Sequence, residues 1–146
     1  MNNTTAIRQL GQSLGLPLEI SAGEACELVI GDDLSVLISG DPDATRLQLS
    51  GTVSSFPVGD RASVATALLK ANYNGQGTGA AALSLDPLTE DVVLTRAFDV
   101  AGGNLTAAVE EFANYLEFWR SRIDSLVGGD SQAVSDSAPP LAAIRI

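Results

Sequence analysis

The residues that could carry chemistry in this chain are few, and their types exclude most hydrolytic and metal-dependent enzymes. The 146 residues include no histidine, which is the commonest general base and the commonest nitrogen ligand of metals. They include one cysteine, Cys26, so neither a thiolate metal site nor an internal disulfide can form within one chain. Cys26 stands in an alternating stretch that predicts a strand. We interpret it as a small buried side chain and keep a reactive thiol as the alternative.

Adjacent carboxylates are the next candidates for acid-base catalysis. They occur as pairs at three places, Asp32-Asp33, Glu90-Asp91 and Glu110-Glu111. Neighbours in a strand point to opposite faces, and neighbours on a helix diverge by about 100°, so we expect these pairs to be solvated rather than to converge on a substrate. The run Asp41-Pro42-Asp43 lacks the further ligands of a calcium loop. We therefore predict no catalytic residue, no metal and no cofactor.

Three glycines, at positions 75, 77 and 79, could form a phosphate-binding loop, because backbone amides freed by glycine can cradle an anion at the start of a helix. The predicted order of elements is the reverse of the one required. A helix precedes these glycines and a strand follows them, and their spacing matches neither nucleotide-binding motif. The pattern predicts a tight helix-to-strand turn in which glycine supplies a positive φ.

The charge balance excludes two classes of partner. Eighteen acidic residues against eight basic ones give a formal charge of -10, whereas proteins that bind nucleic acid or anionic membranes carry the opposite charge. No run of eighteen apolar residues occurs, and residues 1–5 lack the basic segment that opens a secretion signal. We expect no nucleic-acid partner, no membrane insertion and a cytoplasmic location.

The first element that the sequence predicts is an amphipathic helix over residues 4–15, with Asn3 or Thr4 as its N-cap. Apolar side chains recur in it at helical spacing, at Ile7, Leu10 and Leu14. We expect this stripe either to cover the sheet or to form one wall of a groove that takes a partner's side chains.

Alternation of apolar and polar residues then predicts three strands between residues 24 and 53, joined by short turns into an antiparallel meander. Further along, the stretches 81–85 and 92–98 predict a β-hairpin around the turn at Asp86-Pro87. The meander and the hairpin are the parts of the chain expected to form a sheet.

A second helix, preceded by Asp60 as its cap, lies between the meander and the hairpin and is apolar on more than one side. Its apolar positions include Val64, Leu68, Leu69 and Ala71. Small alanines let helices approach closely about a two-fold axis, so part of this surface is expected to pair two copies of the chain. Full burial in the core of a monomer is the alternative.

The last predicted helix is the longest and begins after Asn104 as its cap. Its apolar side chains recur at steps of four and three, at Leu105, Val109, Phe112, Leu116, Trp119, Ile123 and Leu126. The aromatic bulk in this series favours packing across a sheet, with a coiled coil as the alternative.

The order of elements predicts an α+β fold. It consists of a helix, a three-stranded antiparallel meander, a helix, a β-hairpin and a long C-terminal helix (α-β-β-β-α-β-β-α) in one domain over residues 1–127. Residues 128–146 show no periodicity and are expected to be a mostly disordered tail. The last residues of that tail, 141–146, are apolar enough to dock on a surface, which the sequence does not identify.

Several stretches of the sequence resemble the class I type III secretion chaperones, the Tir chaperone family. The resemblance lies in Leu68–Asn72, Gly75–Gly79, Ala82–Pro87 and Tyr115–Arg120. It implies a homodimer in the bacterial cytosol that holds the unfolded N-terminal chaperone-binding segment of a secreted effector in extended form. It also makes the secretion ATPase a candidate partner.

The resemblance further implies where the two functional surfaces lie. The helix with Val64, Leu68, Leu69 and Ala71 corresponds to the dimerisation helix of the family. The client-binding patches fall on the first helix and the meander, at Ile7, Leu10, Leu14, Leu28, Ile30, Leu37 and Leu47. Two other hypotheses stay open, namely a regulatory or adaptor module of the same fold that binds folded partners, and an enzyme that uses Cys26 or Glu24 in a groove.

Overall fold

The structure, a computed structural model, describes residues 1–127. In chain order the elements are α1 (Asn3–Leu14), β1 (Cys26–Ile30), β2 (Leu34–Ser39), β3 (Arg46–Ser55), α2 (Arg61–Asn72), a 3₁₀ turn (Tyr73–Gly75), β4 (Ala82–Leu85), β5 (Asp91–Asp99) and α3 (Leu105–Val127). The predicted α+β fold is confirmed. The predicted tail, residues 128–146, lies outside the described residues.

The five strands form one antiparallel sheet in the order β1-β2-β3-β5-β4. The meander and the hairpin are joined by the long ladder between β3 and β5, which runs from Arg46 opposite Asp99 to Ser55 opposite Asp91. The ladder between β2 and β3 is much shorter and stops at Leu37 opposite Ser50. In this strand order β1 and β4 form the two outer edges of the sheet.

The core lies on one face of the sheet, beneath α3. The apolar series of α3 is buried from Leu105 to Ile123, and the helix packs against β3, β5 and β2. Contact is so close at Gly51 of β3 that a Cβ atom there would lie 2.5 Å from a methyl carbon of Leu116. This series therefore packs across the sheet of its own chain, as the aromatic residues in it predicted.

The start of α1 differs by one or two residues from the prediction. Its N-cap is Asn2, whose side-chain oxygen accepts a hydrogen bond of 3.0 Å from the backbone N–H of Thr5. Asn3 is instead fully buried, and its amide nitrogen donates to the carbonyls of Asp41 and Arg46 at 2.7 and 2.9 Å. Asn3 thus ties α1 to the connection between β2 and β3.

Of the caps predicted for the other two helices, one makes a capping hydrogen bond and one does not. Asn104 accepts a hydrogen bond from the N–H of Ala107 at 3.1 Å and caps α3 as predicted. Asp60 occupies the cap position of α2 but has a left-handed backbone with φ of 57°, and its side chain makes no capping hydrogen bond. Within residues 1–127, no helix is both long and apolar enough to cross a membrane.

Candidate functional site

The glycine loop after α2 is a structural turn that the core holds in place. Gly75 and Gly79 have φ of +69° and +63°, as predicted for a turn that needs glycine. Gly77 packs so tightly that a Cβ atom would lie 2.8 Å from that of Ala71. The indole N–H of Trp119 donates to the carbonyl of Gly77 at 2.8 Å, so α3 fixes the loop.

This loop brings the end of α2 against β4, the edge strand that follows it. The side-chain amide of Asn72 donates to the carbonyl of Leu83 at 2.8 Å and accepts from the N–H of Leu83 at 2.8 Å. Through these two bonds the amide supplies one donor and one acceptor to Leu83, as the backbone of a neighbouring strand would. Asn72 thus occupies the β4 edge at Leu83.

The outward side of α2 forms the first exposed apolar surface, which we call the α2 surface: Leu69 and Tyr73, with Leu85 of β4 beside the helix. Leu69 of α2 is 73% exposed, and Tyr73, the first residue of the 3₁₀ turn that follows α2, is 66% exposed. The alternative of full burial in a monomer is therefore contradicted. Val64, Leu68 and Ala71 are buried within the chain instead, because their side of α2 packs against β4 and α3.

The second surface lies at the opposite end of the sheet, and we call it the β1-edge surface: the free edge of β1 with Val29 and Leu37. No backbone hydrogen bond to β1 from outside its ladder with β2 occurs in the described part of the chain. Val29 is 54% exposed and Leu37 39% exposed on the outer face of the sheet. An unpaired edge beside apolar side chains is a site at which an extended peptide can add as a further strand.

A cavity extends this surface into the place where β2 and β3 separate. Its volume is about 340 Å³, and it opens beside Leu37. Its other lining residues include Ser35, Thr52, Val93 and Arg120. Since the β2–β3 ladder stops at Leu37, the cavity offers room for a side chain beside Leu37, on the side of β2 that faces away from β1.

Comparison with known families bears directly on these surfaces. The model of the Tir chaperone protein (CesT) family matches residues 5–120. The chain belongs to this family. Membership indicates a binding role rather than a catalytic one, and the match includes α1, the whole sheet, α2 and most of α3. A comparison with curated proteins gave no match.

Solved structures show the same fold as this Tir chaperone family member. A chain of the HopA1–SchA chaperone–effector complex aligns with a TM-score of 0.62 and 20% identity, over 80% of this chain and 89% of that one. A chain of the ExsC–ExsE complex gives 0.62 and 19%, over 83% and 96%. A chain of the heterodimeric ExoU–SpcU complex from the type III secretion system of Pseudomonas aeruginosa gives 0.65 and 18%, over 85% and 96%.

The predicted client-binding residues of this Tir chaperone family member form two groups, those buried in the core and those at least partly exposed. Five of them lie in the core of the single chain, namely Ile7, Leu10, Leu28, Ile30 and Leu47. Leu14 is partly buried and Leu37 is exposed. For the strand residues Leu28, Ile30 and Leu47 the reason is the period of two, since the regularly spaced apolar positions are the ones that face the core. Ile7 and Leu10 lie instead on the buried side of α1. On the outer face of the sheet the exposed apolar residues are Leu37 and Val29, and Val29 was not among the predicted residues.

Val29 could have been found from the sequence. It is an apolar residue at the outward position of an alternating strand, between Leu28 and Ile30, where a polar residue is expected. Tyr73 was not among the residues predicted for the dimer interface, although it follows the exposed Leu69 by four residues and is itself exposed. Asn72 carried no such signal, because its partner Leu83 becomes its neighbour only through the glycine loop.

Among residues 1–127, three titratable groups have displaced pKa values, and none of them indicates catalysis. Burial raises the pKa of the Cys26 thiol, with a smaller opposing effect from the backbone of Glu19. Burial also raises the pKa of Tyr115, with a further contribution from the negative charge of Glu111. Hydrogen bonds from the backbone of Leu88 and then Thr89 lower the pKa of Asp86 in the β4–β5 turn. Within residues 1–127, no cluster of three or more cysteines or carboxylates could hold a metal ion.

Proposed function

We propose that this chain is a type III secretion chaperone of the bacterial cytosol. It binds the N-terminal chaperone-binding segment of a secreted effector in extended form and keeps that segment soluble and ready for secretion. The observation that carries the proposal is the open edge of β1 beside exposed Val29 and Leu37, in a member of the Tir chaperone family. The likeness of the fold to a chain of a chaperone–effector complex supports it.

The chemistry of the β1-edge surface suits a client that has not folded. The N–H and C=O groups of an open edge pair with any extended backbone, whatever its sequence. Apolar contacts at Val29, at Leu37 and in the neighbouring cavity then select the side chains. Ordering an unfolded segment lowers the affinity per unit of area, so a long binding surface is needed.

We propose that a homodimer supplies this length. The α2 surface carries the most exposed apolar side chains on any helix or strand in the described range, at Leu69 and Tyr73. It packs beside β4, at the end of the sheet opposite β1, so pairing two copies there leaves both β1 edges open. Linking two sites in this way raises the affinity for one long client. The secretion ATPase is the proposed partner that receives the complex.

The test uses an effector N-terminal segment that copurifies with the chain from its native host and is identified by mass spectrometry. Replacing Val29 and Leu37 together by serine is expected to weaken binding of the purified segment by about 2 kcal/mol, or roughly thirtyfold, measured by calorimetry. The matched control is Leu88→Ser, since Leu88 is 92% exposed on the β4–β5 turn, away from β1. Equal affinity of the double variant and the control would contradict the proposal. Binding of folded partners alone would favour an adaptor.

A further inference from the structure

The two edges of the sheet differ in what covers them. Asn72 pairs with the backbone of Leu83 on β4, whereas the described residues supply no backbone partner to the free edge of β1. An uncovered edge with an apolar side chain such as Val29 is a pairing hazard that proteins normally protect. A further segment of the same chain is one way to protect it.

The end of α3 lies close to β1. Arg120 of α3 donates to the carbonyl and the carboxylate of Asp33, in the β1–β2 turn, at 3.2 and 3.1 Å. A cleft beside this contact is lined by Ile30 at the end of β1 and by Asp124 of α3. Val127, the last residue of α3, follows Asp124 by less than one helical turn. The last described residue of the chain therefore lies near the C-terminal end of the open strand.

The last residues of the chain have the pattern of a strand that complements β1. Ala142, Ile144 and Ile146 share one face, and Arg145, the only basic residue after Val127, lies on the other. In β1, the buried residues Cys26, Leu28 and Ile30 alternate with outward Glu27 and Val29. Both segments thus alternate apolar inward positions with outward ones. Each has one charged outward residue, Glu27 in β1 and Arg145 in residues 142–146, and the two charges are opposite.

We propose that residues 142–146 add to the free edge of β1 as an antiparallel strand of the same chain. Placing Arg145 opposite Glu27 sets Ile144 opposite Leu28, and the remaining inward pairs are then apolar at both ends. In this direction residue 142 lies at the Ile30 end of β1, which is the end next to α3. A shift by one residue would turn both isoleucines outward, and a shift by two would separate Arg145 from Glu27, so the two features together select this register.

The linker between α3 and this segment is long enough. Residues 128–141 number fourteen, and a chain of that length can span at most about 46 Å. A short flexible link keeps the segment at an effective concentration in the mM range. An intrinsic Kd of about 0.1 mM would then keep the edge about nine-tenths filled and slow hydrogen exchange of its amides about tenfold.

Hydrogen exchange of the full-length protein, read residue by residue by NMR, tests this inference without any client. Changing Ile144 and Ile146 together to serine is expected to speed exchange about tenfold at the β1 amides that face away from β2. Val134→Ser, the same change in the linker, is the control and is expected to leave these rates unaltered. Arg145→Glu is expected to speed exchange in part, and Glu27→Lys in the same chain is expected to restore protection.

Three results would overturn the inference. The first is unchanged exchange of the β1 amides in the double serine variant. The second is a loss of protection confined to another surface. The third is protection that depends on protein concentration, which would mean that the segment adds to a second copy.

A second readout rests on the proposed function. If the client uses the same edge, the double serine variant should bind the effector segment about tenfold more tightly than the native chain. A change in β1 exchange without a change in client affinity would preserve the strand addition and contradict the client site. The two failures are therefore distinguishable.

Discussion

The two edge strands of the sheet, β4 and β1, differ in how their outward backbone groups are covered. At β4, the side chain of Asn72 takes the place of a neighbouring strand at Leu83, and α2 covers the edge. At β1, the backbone edge is free among the described residues, and two apolar side chains lie beside it on the outer face. Under the proposed function, the closed edge is a permanent part of the structure and the open edge is where a partner strand adds.

The first prediction concerns the α2 surface, which lies beside the closed edge at β4, and it has the largest expected effect. Leu69→Asp places a charge in the proposed dimer interface and should weaken dimerisation by about 3 kcal/mol, or roughly a hundredfold in Kd. Analytical ultracentrifugation measures this change. Val58→Asp is the control, because Val58 is 93% exposed in the loop before α2. If both variants dimerise equally, the α2 surface is not where two copies meet.

The second prediction removes the side chain that closes β4. Asn72→Ala leaves both backbone groups of Leu83 without their partner and should lower the free energy of unfolding by about 2 kcal/mol in urea titrations. Gln76→Ala, at an exposed position in the following loop, should change stability far less. Similar losses in the two variants would show that Asn72 does not close this edge.

The third prediction concerns the inward side of the open edge and has the smallest effect on function. Burial raises the pKa of Cys26 above its ordinary value of 9.0, so the folded chain disfavours the thiolate. At pH 8 a disulfide reagent such as DTNB should react with Cys26 at least about tenfold more slowly in the native chain than in urea. Client binding should be unchanged in Cys26→Ser, and loss of binding would revive a direct role for the thiol.

The same shift has a definite sign in stability. Because the folded-state pKa of Cys26 is raised, the stabilisation of its protonated form is complete below the unfolded-state pKa and is lost as pH rises through the folded-state pKa. Stability of the native chain should therefore fall more steeply than that of Cys26→Ser above pH 9. Identical pH dependence of the two would contradict burial of the thiol.

Local patterns were sufficient to predict the elements and their packing. Spacing placed the α3 series from Leu105 to Ile123 in the core, and the turn chemistry of Gly75 and Gly79 was recognised from their position between a helix and a strand. Both features depend on neighbours in the sequence and on the periods of helix and strand.

The surfaces were harder to predict, because they depend on contacts between distant residues. The positions chosen for a client, such as Leu28 and Ile30, are regular and apolar, and those are the positions that a strand buries. The side of α2 that stays free is decided by β4 and α3, which cover Leu68 and leave Leu69 exposed. Periodicity within α2 could not make this choice, because its apolar residues lie on more than one side.

The most direct test compares the two edges in one experiment. Hydrogen exchange is measured with and without the effector segment, in the chain with Ile144 and Ile146 replaced by serine so that its own C-terminal residues do not contribute. The account predicts new protection at the β1 amides that face away from β2, with exchange at β4 unchanged. Protection at β4 in place of β1, or binding of the segment with no change at either edge, would contradict it.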